Sequence, residues 1–237
     1  MAARIVGDAG RGMVLSRNAV SRETLDRLDA YATLLRIWQA RINLVAPSTL
    51  NELWPRHLEE GLVLWPQIPR AAEKLVDLGS GAGLPGLALA ILLKERGAGS
   101  IALVESNGKK AAFLRTVVRE LDLPAEIHAK RIESCGDVLA AADLVTARAL
   151  APLDRLLEMV APHLGPNAIC LFPKGRTHQG EIEAASAHWR FDMVKHFSIN
   201  EPDSVILEVR NLQAGGLTTA FRSVIEPEPV RPGAKEP

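Results

Sequence analysis

Asp77, Gly79, Gly81, Gly83 and Glu105 are the residues whose types and spacing most directly suggest chemistry. In the stretch LVDLGSGAGLPG, residues 75–86, Gly79, Gly81 and Gly83 read as GxGxG, while Gly81, Gly83 and Gly86 read as the GxGxxG of dinucleotide-binding proteins. Gly79 ends an apolar run and lets the chain turn sharply, and Gly81 and Gly83 let backbone N–H groups approach a ligand without side-chain obstruction. Glu105 follows Gly83 by 22 residues and Gly86 by 19, and a carboxylate there can accept from two ribose hydroxyls in either kind of ligand. Asp77 separates the two readings. It places a negative group where a pyrophosphate would rest on the following helix, so a cationic ligand without a phosphate suits the place better. S-adenosylmethionine, with a sulfonium and an ammonium, is such a ligand.

These residues need a scaffold, and the apolar pattern supplies one. From Ser21, a candidate N-cap, Leu25, Leu28, Ala32, Leu35, Trp38 and Ile42 recur every three or four positions, which predicts an amphipathic helix. Pro47, Ser48 and Thr49 interrupt it, and LNELWPRHLEEGLVLW continues as helix with Pro55 kinking it or opening a second piece. Beyond residue 70 short aliphatic runs at 74–79, 100–105, 125–130, 143–148 and 168–175 alternate with helical stretches at 84–96, 107–121 and 152–164. That alternation predicts an α/β fold with a mostly parallel, Rossmann-like sheet. A helix over 178–189 then leads into FDMVKHFSI and DSVILEVRNL, read as an antiparallel edge pair. The expected organisation is a flexible segment at 1–20, N-terminal helices at 21–70, a catalytic domain at 71–225, and a Pro-rich, disordered tail at 226–237.

Composition narrows the function. The 237 residues are 47% apolar and 24% charged, ordinary for a globular chain. No signal peptide or apolar membrane span is read, so a cytoplasmic protein without a membrane partner is expected. Cys135 and Cys170 belong to no CxxC pair, and neither a disulfide framework nor a metal site is expected. Lys+Arg and Asp+Glu are equal at 28 each, which argues against coating of nucleic acid by one large positive field. Lys109, Lys110, Arg115 and Arg119, the pair Lys130 and Arg131, and Lys174 with Arg176 and His178 are local basic clusters that read individually as solvated faces.

The segments NLVAPSTLNELWPRHLEEG, VDLGSGAGLPGLALA, LVESNGKKAAFLR, AKRIES, LVTARALAPL and FPKGR occur in an order and spacing that resembles the bacterial small-subunit ribosomal RNA guanine-N7 methyltransferases, also called the glucose-inhibited division protein B family. The resemblance runs from about residue 25 to 212. It implies a class I S-adenosylmethionine-dependent methyltransferase fold with a helical N-terminal extension, S-adenosylmethionine as cofactor, and 16S ribosomal RNA or the small ribosomal subunit as partner. It also implies that Gly79, Leu84, Ile132 and Glu133 contact the cofactor, beside the Asp77, Gly81, Gly83 and Glu105 read from the loop. Arg148 is implied beside the cofactor, pairing with its carboxylate or positioning the acceptor. Asn43, Arg56, His57 and Lys174 match positions flanking the site or the RNA face, and Arg56 and Lys174 join Arg148 as positioning candidates. The chain departs from the family's usual RHxxDS, with Glu60 and Gly61 in the last two places.

Chemistry at guanine N7 fits this residue set. N7 carries an in-plane lone pair and no proton, so transfer needs positioning rather than a general base. The NPPY-type loop of amino-nitrogen methyltransferases would follow the fourth strand, where this chain reads TARALAPL. No Pro-Cys nucleophile for pyrimidine C5 appears either. The competing readings are a small-molecule methyltransferase with a helical lid, a non-catalytic ribosome-assembly factor, and, last, an NAD-dependent reductase.

Overall fold

The computed structural model describes residues 10–18, 20–197 and 203–215; the tail at 226–237 lies outside them. Ser21 caps helix α2, Arg22–Gln39, by accepting from the Thr24 N–H at 3.1 Å, and the stripe Leu28, Tyr31, Ala32 and Leu35 is buried. The helix stops three residues before Ile42, where the apolar periodicity ends. The Gln39 side chain explains this, since its Oε1 accepts from the Leu44 and Val45 N–H groups and its Nε2 donates to the Val45 carbonyl.

Residues 47–64 form three pieces rather than one kinked helix: a 3₁₀ turn Pro47–Glu52, a π-helical turn Trp54–Leu58 and helix α3, Glu59–Leu64. Pro55 has no N–H to donate, and the turn widens so that the Glu59 N–H reaches the Trp54 carbonyl. The described part of the segment expected to be flexible at 1–20 contains a helix. Arg11–Arg17 form helix α1, with Val14 buried. Arg11 pairs with Asp29 through two contacts of 2.9 and 2.6 Å and lies over the Trp54 ring at 5.3 Å.

Seven strands make one sheet: β1 Lys74–Leu78, β2 Ser100–Val104, β3 Ala125–His128, β4 Leu144–Ala147, β5 Ile169–Lys174, β6 Trp189–Phe197 and β7 Val205–Ala214. Their order is β3-β2-β1-β4-β5-β7-β6. The first five run parallel, and β7 is inserted antiparallel between β5 and β6. Helices α4 Gly86–Arg96, α5 Gly108–Glu120, α6 Gly136–Ala140, α7 Leu153–Val160 and α8 His178–Ser186 cover both faces. Strand alternation divides the core. Leu75, Leu103, Leu144 and Leu171 pack toward α2, α4 and α5, while Val76, Val104, Val145 and Cys170 face the side of α7 and α8. Cys170 is a buried apolar filler, its thiol pushed up to about 12 by burial. The short helix α6 and the 3₁₀ turn Ile132–Ser134 have no periodic signal long enough to read in sequence.

Candidate active site

The glycine turn leaves the carboxyl end of β1 and is held from several directions. Gly79, Gly81 and Gly83 take φ of 64°, 55° and 85°, a left-handed backbone that disfavours side chains. The Ser80 N–H bonds the Val104 carbonyl at 3.0 Å, and the Ser80 carbonyl accepts from Gly83 at 2.6 Å. Glu105, at the end of β2, accepts from the Gly81 N–H at 2.8 Å with one oxygen and from the Asn107 N–H at 2.7 Å with the other. A carboxylate has about four lone-pair positions, so two remain for ligand hydroxyls. A Cβ on Gly81 would meet only the Gly79 carbonyl, at 3.7 Å. The space on the side-chain side of the Gly81 α-carbon is open to a ligand.

Asp77 lies beneath this turn and is wholly buried. Gly86, the first residue of α4, packs onto it so closely that a Cβ there would come 2.5 Å from Asp77 Oδ2 and 2.4 Å from Leu103 Cδ2. The carboxylate therefore lies against the N-terminal end of α4, the place a pyrophosphate would need. Burial pushes its pKa up to about 7, with the Ser80 hydroxyl and Gly86 N–H drawing it down and the charge of Glu60 raising it further. Gly86 serves close packing, not a second glycine motif.

A second group of residues assembles at the carboxyl end of β4. Arg148 forms an ion pair through Nε with Glu60 of α3, donates through Nη2 to the Arg56 carbonyl at 3.2 Å, and sets both Nη atoms 3.4 Å from His57 Nδ1. The hydrogen-bond pattern fixes the imidazole. Thr49 donates its hydroxyl hydrogen to the Ala46 carbonyl, so at 2.9 Å it accepts from His57 Nε2–H, leaving the Nδ1 lone pair toward the guanidinium. Burial, then the charges of Arg148 and Arg56, lower the His57 pKa to about 4. His57 is a neutral orienting group for Arg148, and its lone pair is not presented to a substrate.

Between α3 and the ends of β4, β5 and β7 lies a cavity of about 480 Å³. Pro55, Val63, Leu150 and Pro173 supply apolar wall, and Arg56, Glu59, Glu60, Arg148 and Lys174 supply the polar groups. It adjoins the glycine turn, because a Cβ on Gly79 would stand 2.7 Å from Leu150 Cδ1. Lys174 is less free than its sequence position suggests. Its ammonium donates to the Ala151 carbonyl at 2.8 Å and to Glu181 at 2.7 Å, and the same Glu181 oxygen accepts from the Leu153 N–H that starts α7. Lys174 thus ties α7 and α8 to the cavity wall.

The remaining candidates are dispersed around these two groups. Leu84 is buried just before α4, joined to Pro85 by a cis peptide bond. Ile132 and the exposed Glu133 sit on the turn after β3, at the same strand end as Glu105. Arg56 is exposed and pairs with Glu52. Asn43 is exposed on the loop after α2, accepting from Gln39 at 3.3 Å; no hydrogen bond ties it to the cavity. Sequence reasoning missed Tyr31, whose hydroxyl donates to the Ala82 carbonyl at 2.6 Å, and Thr49 as the partner of His57. Helical periodicity assigned Tyr31's stretch only to a core face.

A glycine turn after the first strand, an acid ending the second, and a reversed strand inserted next to the far edge define a class I S-adenosylmethionine-dependent methyltransferase. The family model described as rRNA small subunit methyltransferase G matches residues 24–209, and the chain belongs to that family. Proteins named ribosomal RNA small subunit methyltransferase G from Brucella ovis and Paramagnetospirillum magneticum are 49% and 47% identical to it over 195 and 202 residues. These matches cover 82% and 85% of this chain and 91% and 96% of theirs. Among solved structures, a putative O-methyltransferase from Klebsiella pneumoniae aligns with a TM-score of 0.55 at 14% identity, over 84% of this chain and 95% of that one. That likeness is one of fold. Among the described residues no helix is long and apolar enough to cross a membrane, and no group of three or more His, Cys, Asp or Glu could hold a metal ion.

Proposed function

We propose that the protein transfers a methyl group from S-adenosylmethionine to N7 of a guanine in 16S ribosomal RNA, in the cytoplasm where ribosomal subunits are built. The observation that carries this reading is the adjacency of two sites: the glycine turn with its Glu105 carboxylate, and a 480 Å³ cavity whose Leu150 packs against Gly79. The cavity is large enough for one base turned out of its stack.

The turn fits the cofactor on its own observations: open space beside the Gly81 α-carbon, spare lone pairs on Glu105, and a buried carboxylate that disfavours phosphate. Glu105 would hold the ribose hydroxyls, and Gly79, Gly81, Gly83 and Leu84 would line the turn, with Asp77 beneath it. Ile132 and Glu133 would close the adenine side. When bound, the cofactor supplies a methyl group activated by its sulfonium. Guanine N7 offers an in-plane lone pair and carries no proton, so the cavity would need no general base. This agrees with His57 being neutral and turned toward Arg148. Arg148, braced by Glu60, His57 and the Arg56 carbonyl, would position the acceptor, with Lys174 fixing the opposite wall. The carboxylates of Glu59 and Glu60 would favour the cationic product base.

Incubating the protein with methyl-labelled S-adenosylmethionine and, separately, 16S rRNA, small subunits and a metabolite pool tests the proposal. Label at a single guanine, with borohydride and aniline cleaving the RNA there, is expected. Label confined to metabolites would point to the small-molecule enzyme. Cofactor binding with no transfer anywhere would point to the assembly factor.

A further inference from the structure

Tyr31 is the only tyrosine of the chain, and it stands on α2, outside the sheet that carries the cofactor turn. Its ring is fully buried, 6.5 Å from that of Phe113 on α5, and Trp38 packs on the same Phe113 at 5.7 Å. Its hydroxyl donates to the Ala82 carbonyl at 2.6 Å. Ala82 lies between Gly81, whose N–H is held by Glu105 at 2.8 Å, and Gly83, whose N–H closes the turn on the Ser80 carbonyl at 2.6 Å. The turn is thus gripped from the sheet side by Glu105 and from the helical side by Tyr31. Glycine-rich backbone has more conformations to lose than any other, so an external hydrogen bond at its centre has a large effect on which conformation is populated.

We infer that Tyr31 is a positioning residue for the cofactor: by fixing the Ala82 carbonyl it holds the glycine turn in its binding shape, making the N-terminal helices part of the cofactor site. The inference rests on the S-adenosylmethionine reading of that turn. Burial and the nearby Asp77 raise the phenol pKa, so the hydroxyl stays a donor throughout the working pH range. Removing it leaves the ring packing intact and frees the turn, and binding must then reorder it, which lowers apparent affinity without touching the transfer step.

The test is calorimetric titration of S-adenosylmethionine into the full chain, with Tyr31→Phe and Trp38→Leu as variants. Trp38→Leu disturbs the same aromatic cluster without contacting the turn, and Tm values of both variants are recorded. A Kd raised about 3- to 10-fold in Tyr31→Phe, with kcat at saturating cofactor unchanged and Trp38→Leu binding like wild type, is expected. Wild-type affinity in Tyr31→Phe would overturn the inference. Equal losses of affinity in the two variants would also overturn it, by reducing Tyr31 to general packing. A wild-type protein that binds no S-adenosylmethionine would instead remove the cofactor reading, and the positioning role with it.

Discussion

Restoring serine at position 61, where the family usually carries it, tests how α3 packs on α4. A Cβ on Gly61 would stand 2.4 Å from the Ala88 Cβ and 3.5 Å from its Cα, against about 3.5–4.0 Å for ordinary carbon contact. The helices must therefore separate by about 1 Å or more to admit it. Helix α4 has little room to yield, since Leu87 to Leu93 are all buried. The displacement falls on α3, which carries Glu60 and its ion pair to Arg148. Overpacking of this kind costs about 1–3 kcal/mol. Ala88→Gly removes the obstructing methyl and costs about 1 kcal/mol by itself through helix propensity. The double variant should therefore be less destabilised than the sum of the two singles, with a coupling of about 1–2 kcal/mol. Urea unfolding reads this as a shift in midpoint at constant m-value, and methyl transfer should fall in Gly61→Ser and recover in the double variant. A Gly61→Ser protein as stable as wild type, or strictly additive costs, would refute the close packing.

Arg148→Ala should lower single-turnover methyl transfer by about 100-fold or more, and Arg148→Lys should not restore it, because the guanidinium makes contacts in three directions; undiminished transfer in Arg148→Ala would remove the residue from the mechanism. Glu105→Gln turns an amide N–H toward the Gly81 or Asn107 N–H and should weaken S-adenosylmethionine binding about 10-fold or more by titration calorimetry; an unchanged Kd would contradict the assignment. The buried titratable pair gives opposed pH dependences. His57, near 4 when folded against its ordinary 6.5, leaves the extra proton on the unfolded chain, so its contribution to stability rises with pH between those values. Asp77, near 7 when folded against its ordinary 3.8, leaves the extra proton on the folded protein, so its contribution falls as pH rises from 3.8 through 7. Relative to wild type, Asp77→Asn should gain stability and His57→Gln should lose it between pH 4.5 and 6.5, each by about 2 kcal/mol. Denaturant unfolding at three pH values checks this, and profiles parallel to wild type would sink it.

The fold was readable because its signals are local. Five short aliphatic runs separated by helix-length stretches dictate a parallel sheet, and each strand appears within a residue or two of its run. Errors cluster where a single side chain overrides periodicity. Gln39 ends α2 early by taking three backbone groups of the next loop, and Pro55 converts a continuous helical pattern into a π-helical turn. Helix α1 was unreadable because seven residues with one buried position carry no period, and its stability comes from Arg11 against Asp29 and Trp54.

What the sequence alone determined was the class of chemistry. Residue type and spacing place a glycine turn after β1, an acid after β2 and an arginine after β4, and in a parallel sheet all strand ends of that kind meet at one crevice. Only the tertiary structure decided what those residues do to one another. Asp77 belongs to no glycine motif, yet its buried carboxylate lies under Gly86 at the start of α4, where the dinucleotide reading of the glycines would rest a pyrophosphate. His57 matches a position flanking the site or the RNA face, and only the fold shows its ring fixed by Thr49 on one side and turned toward Arg148 on the other. Tyr31 and Ala82 are 51 residues apart. Hydrogen bonds and ion pairs between distant segments depend on ångström-scale placement, which is set by packing of the whole chain and leaves no trace in local periodicity.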